Sequence, residues 1–223
     1  DIVTAILTGS SVLFSGKPNQ RGTASFSVTA TDPYGATEDM VIELTIMHKV
    51  VEFKDANLET AVRNALGIPT DPLKKEDLDK LKELKIDGRK IADLIGLEYC
   101  SNLEKLDLFG TDEISDLTPI SNLANLTWVS IWRNRITELN SIANLTNLDY
   151  LDLSYNQLND VSPLANLANL THLNLGMNDP LSDLSPLTNL TNLTELWLYT
   201  NGISNVSPLA NLINLTRLGL EDN

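Results

Sequence analysis

One phrase recurs through the last two thirds of this 223-residue chain. Aligned on its first leucine it begins at Leu81, Leu103, Leu126, Leu148, Leu170, Leu193 and Leu215, in steps of 22 or 23 residues. A second apolar column stands at Leu84, Leu106, Val129, Leu151, Leu173, Leu196 and Leu218, and a third at Ile86, Leu108, Ile131, Leu153, Leu175, Leu198 and Leu220. Three residues beyond the third column come Asn134, Asn156, Asn178, Asn201 and Asn223. A unit this small buries its apolar side only against a like neighbour, so the period predicts a stack of similar units sharing one core.

The two leucines of each L-x-L segment point to one face of a short strand and the residues beside them to the other. Stacked units then form a parallel sheet, its seven strands about 4.8 Å apart and spanning about 30 Å. The asparagine column turns the chain after each strand, its amide bonding backbone groups left unpaired there. Pro119, Pro163, Pro186 and Pro208, in phrases such as SPLANLANL, predict short 3₁₀ or irregular segments on the return side instead of long helices. The extra residue of each 23-residue step falls in the turns at 111–114 and 178–181. The pattern L-x-x-L-x-L-x-x-N resembles the leucine-rich repeat. The fold class it implies is an α/β solenoid, right-handed, with 22-residue repeats.

The outward positions carry the expectation of function. Before the second column they read Glu83, Lys105, Trp128, Tyr150, His172, Glu195 and Arg217. Between the columns stand Lys85, Asp107, Ser130, Asp152, Asn174, Trp197 and Gly219, and after the third Asp87, Phe109, Trp132, Ser154, Gly176, Tyr199 and Glu221. All three tryptophans fall here although aromatics are only 5% of the chain. Exposed Trp and Tyr offer apolar area with a polar handle, the make-up of binding hot spots. Phe109, Trp128, Trp132, Tyr150, His172, Trp197 and Tyr199 are therefore the candidate ligand-binding residues. The competing reading is that the rings stack along the sheet and shield it.

Composition narrows the partners. A net charge of −14 disfavours nucleic acid and anionic membrane. The charge is concentrated: 14 acidic and 4 basic residues from position 102 onward, a difference of −10, against 11 and 9 over 50–101. No apolar run of 18 residues is present, so no membrane insertion is expected of this segment. The chain opens mid-phrase, which reads as an excerpt of a longer one. Cys100, alone, excludes an internal disulfide framework and is read as a small packed apolar side chain.

Residues 1–48 keep a different rhythm. Alternation over 23–31 and 40–47, joined by DPYGAT, predicts a hairpin, with shorter strands at 3–7 and 11–14. The phrase GTASFSVTATDPYGATEDMVIELTI resembles the closing strands of cadherin-like and immunoglobulin-like modules, which implies the C-terminal part of a β-sandwich. Asp32 beside Pro33 reads as a turn former, since Ca²⁺ needs six to eight oxygens. From residue 49 to 80 a helical unit is expected. Val50, Val51 and Phe53 suggest a short strand; Asp55 or Asn57 caps a helix whose stripe is Leu58, Ala61, Val62, Ala65 and Leu66, ended by Gly67. A second helix is expected after Pro72, with Leu78, Leu81 and Leu84 continuing into the first repeat. FKDANLETAVRNALGI and the repeats DLTPISNLANL and NDVSPLANLANL resemble the helical cap and repeats of the internalin family. Here the immunoglobulin-like element precedes that cap.

Catalytic and metal motifs do not assemble. His48 and His172 lie in different modules, no His/Cys/carboxylate set has metal spacing, and no phosphate loop or nucleophile set appears. Asp107 and Asp152, two strands or about 9 to 10 Å apart, are too distant for a retaining glycosidase pair. NLT and NVS triplets follow from the repeat itself. Neither a cofactor nor a metal is expected, nor an enzyme. The resemblance implies an extracellular, secreted or bacterial cell-surface module that binds a protein ligand, such as a host or neighbouring-cell surface protein, through the concave sheet. Carbohydrate stacking on Trp128 or Trp132 is a lesser variant. The alternative is a non-catalytic scaffold or spacer within a larger secreted or surface protein.

Overall fold

A strand forms at every expected L-x-L segment. The computed structural model describes residues 3–8, 11–16, 22–31, 34–35, 37–46, 50–87, 90–111, 113–178 and 180–223. The chain divides into two compact units, Asp1–Lys49 and Val50–Asn223.

In the first unit β1 (Val3–Thr8) pairs antiparallel with β2 (Ser11–Gly16), and β3 (Gly22–Thr31) with β4 (Thr37–Ile46), as two separate two-stranded sheets. The ten-residue register of the second pair runs from Gly22↔Ile46 to Thr31↔Thr37. Gly35, at φ 88°, supplies the left-handed residue its turn needs. Asp32, Pro33 and His48 lie outside the described residues.

The second unit begins with α1 (Ala56–Leu66). Asp55 Oδ1 accepts from the Asn57 and Leu58 backbone N–H groups, while Gly67 ends the helix in the left-handed region. Asp55 Oδ2 also accepts from Ala92 N at 2.9 Å, and Asn57 Nδ2 donates to Lys90 O at 2.7 Å, tying the helix start to the first repeat. One expectation is corrected here: Val50 makes a single bridge to Lys74 and no strand follows it. The second helix is one turn, α2 (Lys75–Leu78), after which Leu81 and Leu84 continue into the repeat columns and the shared core.

Seven parallel strands follow in sequence order: β5 (Glu83–Asp87), β6 (Lys105–Phe109), β7 (Trp128–Ser130), β8 (Tyr150–Asp152), β9 (His172–Asn174), β10 (Glu195–Trp197) and β11 (Arg217–Gly219). The register never slips: Leu84, Leu106, Val129, Leu151, Leu173, Leu196 and Leu218 face one another across the sheet. The return side carries short 3₁₀ turns such as Ser162–Asn166 and Ser207–Asn211, with proline in their first turn. Asp116, Asp160, Asp183 and Asn205 each accept from the backbone N–H two residues on, starting those turns. One hydrophobic core runs from Val51 to Leu212, and each fully buried leucine in it contributes about 1.5–3 kcal/mol.

Two asparagine ladders hold the stack. In the first, Asn156, Asn178, Asn201 and Asn223 donate from Nδ2 both to their own repeat and to the preceding one; Asn178 reaches Leu175 O and Leu153 O, each at 3.0 Å. Each Oδ1 accepts a backbone N–H of the preceding repeat, as from Leu158 N to Asn178. Thr111 takes the asparagine's place in one repeat and donates to Asn134 Oδ1. The residue before each asparagine is driven to positive φ, at Arg133, Tyr155, Met177, Thr200 and Asp222. Such conformations cost about 1 kcal/mol or more apiece, which the amide bonds offset.

The second ladder uses the asparagine just before the first leucine of each repeat, which in four repeats opens an NLT triplet. Asn125, Asn147, Asn169, Asn192 and Asn214 each donate from Nδ2 to a carbonyl one repeat back, at 2.8–2.9 Å. Thr127, Thr194 and Thr216 donate to carbonyls of the preceding repeat.

Candidate binding surface

With the leucines inside, the three outward columns form the other face of the β5–β11 sheet. Its first strands carry charge. Lys85 pairs with Asp107 at 3.3 Å, Lys105 with Glu83 at 3.0 Å and Lys82 with Glu104 at 2.7 Å, all between neighbouring repeats. These are exposed pairs in water and contribute little to stability.

Aromatic rings take over from β6 onward. Phe109 stacks on Trp132 with centroids 4.3 Å apart and planes 29° from parallel, and Trp128 stacks on Tyr150 at 4.7 Å and 12°. Tyr150 in turn meets the His172 imidazole at 5.9 Å, tilted by 31°. The rings meet because parallel register places Trp128 opposite Tyr150 and Tyr150 opposite His172. Trp197 and Tyr199 instead lie over glycines of the neighbouring repeats. A Cβ on Gly176 would stand 2.4 Å from the Tyr199 ring, and one on Gly219 would stand 2.4 Å from Trp197. The glycines thus serve as floors for aromatic side chains.

All seven sequence-predicted residues therefore lie on one face, yet none is fully exposed. Phe109, Trp128, Trp132, Tyr150, His172, Trp197 and Tyr199 are each half-buried, where free exposure was expected. Mutual stacking and glycine floors are the cause. The face divides into a Phe109–Trp132 stack, a Trp128–Tyr150–His172 row, and the Trp197 and Tyr199 rings on β10 and just beyond it.

Three side chains beyond the seven candidates join the face, of which Tyr155 alone lay outside the outward columns. Tyr155, 44% exposed, tilts onto Trp132 at 6.0 Å from a left-handed position just outside the three columns. Its place directly before the asparagine column was the available signal. Asp152, half-buried, accepts from Ser154 N and Ser154 Oγ on one oxygen and from Asn174 Nδ2 on the other. Burial raises its carboxyl above the ordinary carboxylate range against those bonds, and Asp107 adds to the rise. Glu195 pairs with Arg217 at 2.8 Å and lies 3.4 Å from His172 Nε2, a pair only when the imidazole is protonated. Burial also raises the Tyr150 phenol, with Asp152, Asp107 and Glu195 adding to it.

His172 ends a polar chain. The Thr171 hydroxyl bonds Asp149 Oδ1 and the His172 ring at Nδ1, 2.7 Å away. A hydroxyl has one proton; given to the carboxylate, it leaves Thr171 Oγ1 as acceptor, so Nδ1 carries the imidazole proton. Among the described residues no group of three or more His, Cys, Asp or Glu side chains is placed to hold a metal ion. Cys100 is buried beneath the first repeats, and its thiol is pushed up to about 12 by burial, with Glu98 and Asp79 adding.

Residues 124–166, 146–189 and 168–211 match the family profile described as Leucine Rich repeats (2 copies). No curated protein sequence matches the chain. Among solved structures, it is similar to an internalin (inlF) of Listeria monocytogenes str. 4b F2365, with 42% identity and a TM-score of 0.73 over 74% of this chain and 49% of that one. It thus spans about half of that relative. Internalin C2 (inlC2) of the same strain is 36% identical, with a TM-score of 0.61 over 77% of this chain and 85% of that one. A leucine-rich repeat protein of Leptospira interrogans is 28% identical, with a TM-score of 0.63 over 68% and 40%.

Proposed function

The chain belongs to the internalin family of leucine-rich repeat proteins, and from that premise we propose that its concave face binds a protein ligand outside a bacterial cell. The observation that carries the reading is the placement of the aromatics. Seven rings lie together on the outward face of one sheet, half-buried but open on one side. Rings already fixed by stacking lose little conformational freedom on binding, which lowers the cost of ordering an interface. Phe109, Trp128, Trp132, Tyr150, His172, Trp197 and Tyr199 are the contact residues in this reading, and the protein works without catalysis.

Two accessory assignments belong to the proposal. The helix α1, with Leu58 and Val62 fully buried in the same core as the repeat leucines, acts as the cap of the solenoid's first end. The β1–β4 segment is the closing part of an immunoglobulin-like or cadherin-like sandwich, a reading supported by the long β3–β4 hairpin. No described helix is long and apolar enough to cross a membrane.

The test is capture of surface-exposed host and bacterial proteins by the chain, beside a Trp128→Ala, Trp132→Ala, Trp197→Ala variant. Loss of a specific captured partner in the triple variant, but not in a surface-ladder control such as Asn169→Ala, supports recognition by the concave face. Equal capture by all three chains refutes it. The second reading, a scaffold or spacer, draws on the stacks themselves, because rings that cover one another also shield a sheet. It predicts that the triple variant loses stability and no partner.

A further inference from the structure

Trp197 and Tyr199 leave the β10 region in opposite directions, one over Gly219 of the following repeat and the other over Gly176 of the preceding one. A notch of about 100 Å³ opens beside them, lined by Tyr150, His172, Asn174, Glu195 and Trp197 above Leu151 and Leu173. Its walls are aromatic on several sides, and its polar groups are the Glu195 carboxylate, the Asn174 amide, the Tyr150 hydroxyl and the His172 imidazole. We propose that this notch receives a lysine or arginine side chain of the protein partner. The inference rests on the concave-face reading and narrows it to one kind of contact.

Charge selects the occupant. Asp152, bonded to the notch residue Asn174, has no cationic partner among the described residues. Glu195 holds Arg217, but that arginine side chain is 65% exposed, and an exposed pair in water is weak enough to yield to an incoming cation. An ammonium or guanidinium over the Tyr150 and Trp197 faces adds a cation–π contact to the carboxylate attraction. An anionic guest meets repulsion, and an apolar one strips water from Glu195 and Asn174 without replacing their hydrogen bonds. The excess of 14 acidic over 4 basic residues from position 102 onward draws a basic partner toward this end of the face.

The experiment follows the Trp197 indole N–H and the His172 ring by NMR in the whole chain. The probes are the Nα-acetylated amides of arginine, lysine and citrulline, the last matching arginine in shape without its charge. Saturable shifts are expected with arginine and lysine, about tenfold weaker with citrulline, and weakened by added salt. Glu195→Gln and Asp152→Asn, each checked for unchanged unfolding, reduce the response. Equal response to citrulline and arginine, or response untouched by both substitutions, overturns the proposal. So does saturation by a neutral oligosaccharide with none by arginine. If these overturn it while Trp-dependent capture persists, the concave-face reading stands alone; charge-selective shifts alongside Trp-independent capture leave the notch and refute that broader reading.

Discussion

Trp128 on β7 and Tyr150 on β8 lie ring on ring, centroids 4.7 Å apart and planes 12° from parallel, across a parallel pair of strands. The pair is both a stabilising contact and a platform. A double-mutant cycle with Trp128→Ala and Tyr150→Ala, read by chemical unfolding, is expected to give a coupling of about 0.5–1.5 kcal/mol. A coupling near zero would show that the rings merely lie together, and the loss of ligand in either variant would then report contact with the ligand directly.

The two asparagine ladders are expected to differ in strength. Asn178 is fully buried and satisfies Leu153 O, Leu175 O and Leu158 N. Asn178→Ala strands those groups away from water and should cost about 2 kcal/mol or more, since each buried unpaired group costs about 1–3 kcal/mol. Asn169 makes its bond to Thr146 O at the surface, where water replaces it, so Asn169→Ala should cost under about 1 kcal/mol. Urea unfolding of both variants checks the contrast; equal losses contradict the assignment of the inner ladder as the main staple.

Gly176 has an ordinary backbone conformation, and the atoms nearest a methyl group there all belong to the Tyr199 ring. Gly176→Ala should lower the melting temperature and shift the Tyr199 ring resonances. In the Tyr199→Ala background the same substitution should be nearly neutral. A full-sized loss in that background would place the obstruction somewhere other than the ring.

Cys100 should resist thiol reagents at pH 8 in the folded chain and react on unfolding, because its thiol is held up to about 12. The sign follows: a folded value raised above the unfolded one favours the neutral thiol. Its contribution to stability is therefore present below the unfolded value of 9.0 and is lost as pH rises through the folded one. Native-state labelling as fast as that of the unfolded chain would contradict the burial.

Asp152 runs against the other carboxylates. Asp77, held down chiefly by Lys80, and Asp183, held down by the Ser185 backbone and hydroxyl, contribute stability that is lost as pH falls through their lowered folded values. Asp152 is raised, so acidification below its folded value relieves the penalty of a buried charge. The native chain should therefore gain stability relative to Asp152→Asn as pH is lowered across the carboxylate range. A difference that stays flat or moves the other way rules this out.

Much of the repeat unit was legible because its physics is periodic. Leucine columns, the asparagine turn and the proline-started 3₁₀ segments repeat, so each copy corroborates the next. Asp55 and Gly67 were legible as helix ends for a local reason, since capping needs only neighbouring backbone. The strand read over Val50, Val51 and Phe53 is reduced to a single bridge from Val50 to Lys74, because Val51 and Phe53 are apolar for burial in the core and local spacing does not separate that from strand pairing. On the candidate face the columns named the residues but not their pairings.

The sequence by itself determined the period, the strand positions and which side chains turn outward, because those follow from the alternation of a strand and the need to bury leucine. The tertiary structure alone decided what the outward residues do to one another. Stacking repeats in register put Trp128 on Tyr150, laid Tyr199 over Gly176, joined Asn125, Asn147, Asn169, Asn192 and Asn214 to carbonyls of the repeat before each, and left Asp152 without a cation beside it among the described residues. These relations join residues about 22 positions apart through rings and amides whose direction depends on the neighbouring repeat, and no single repeat contains that information.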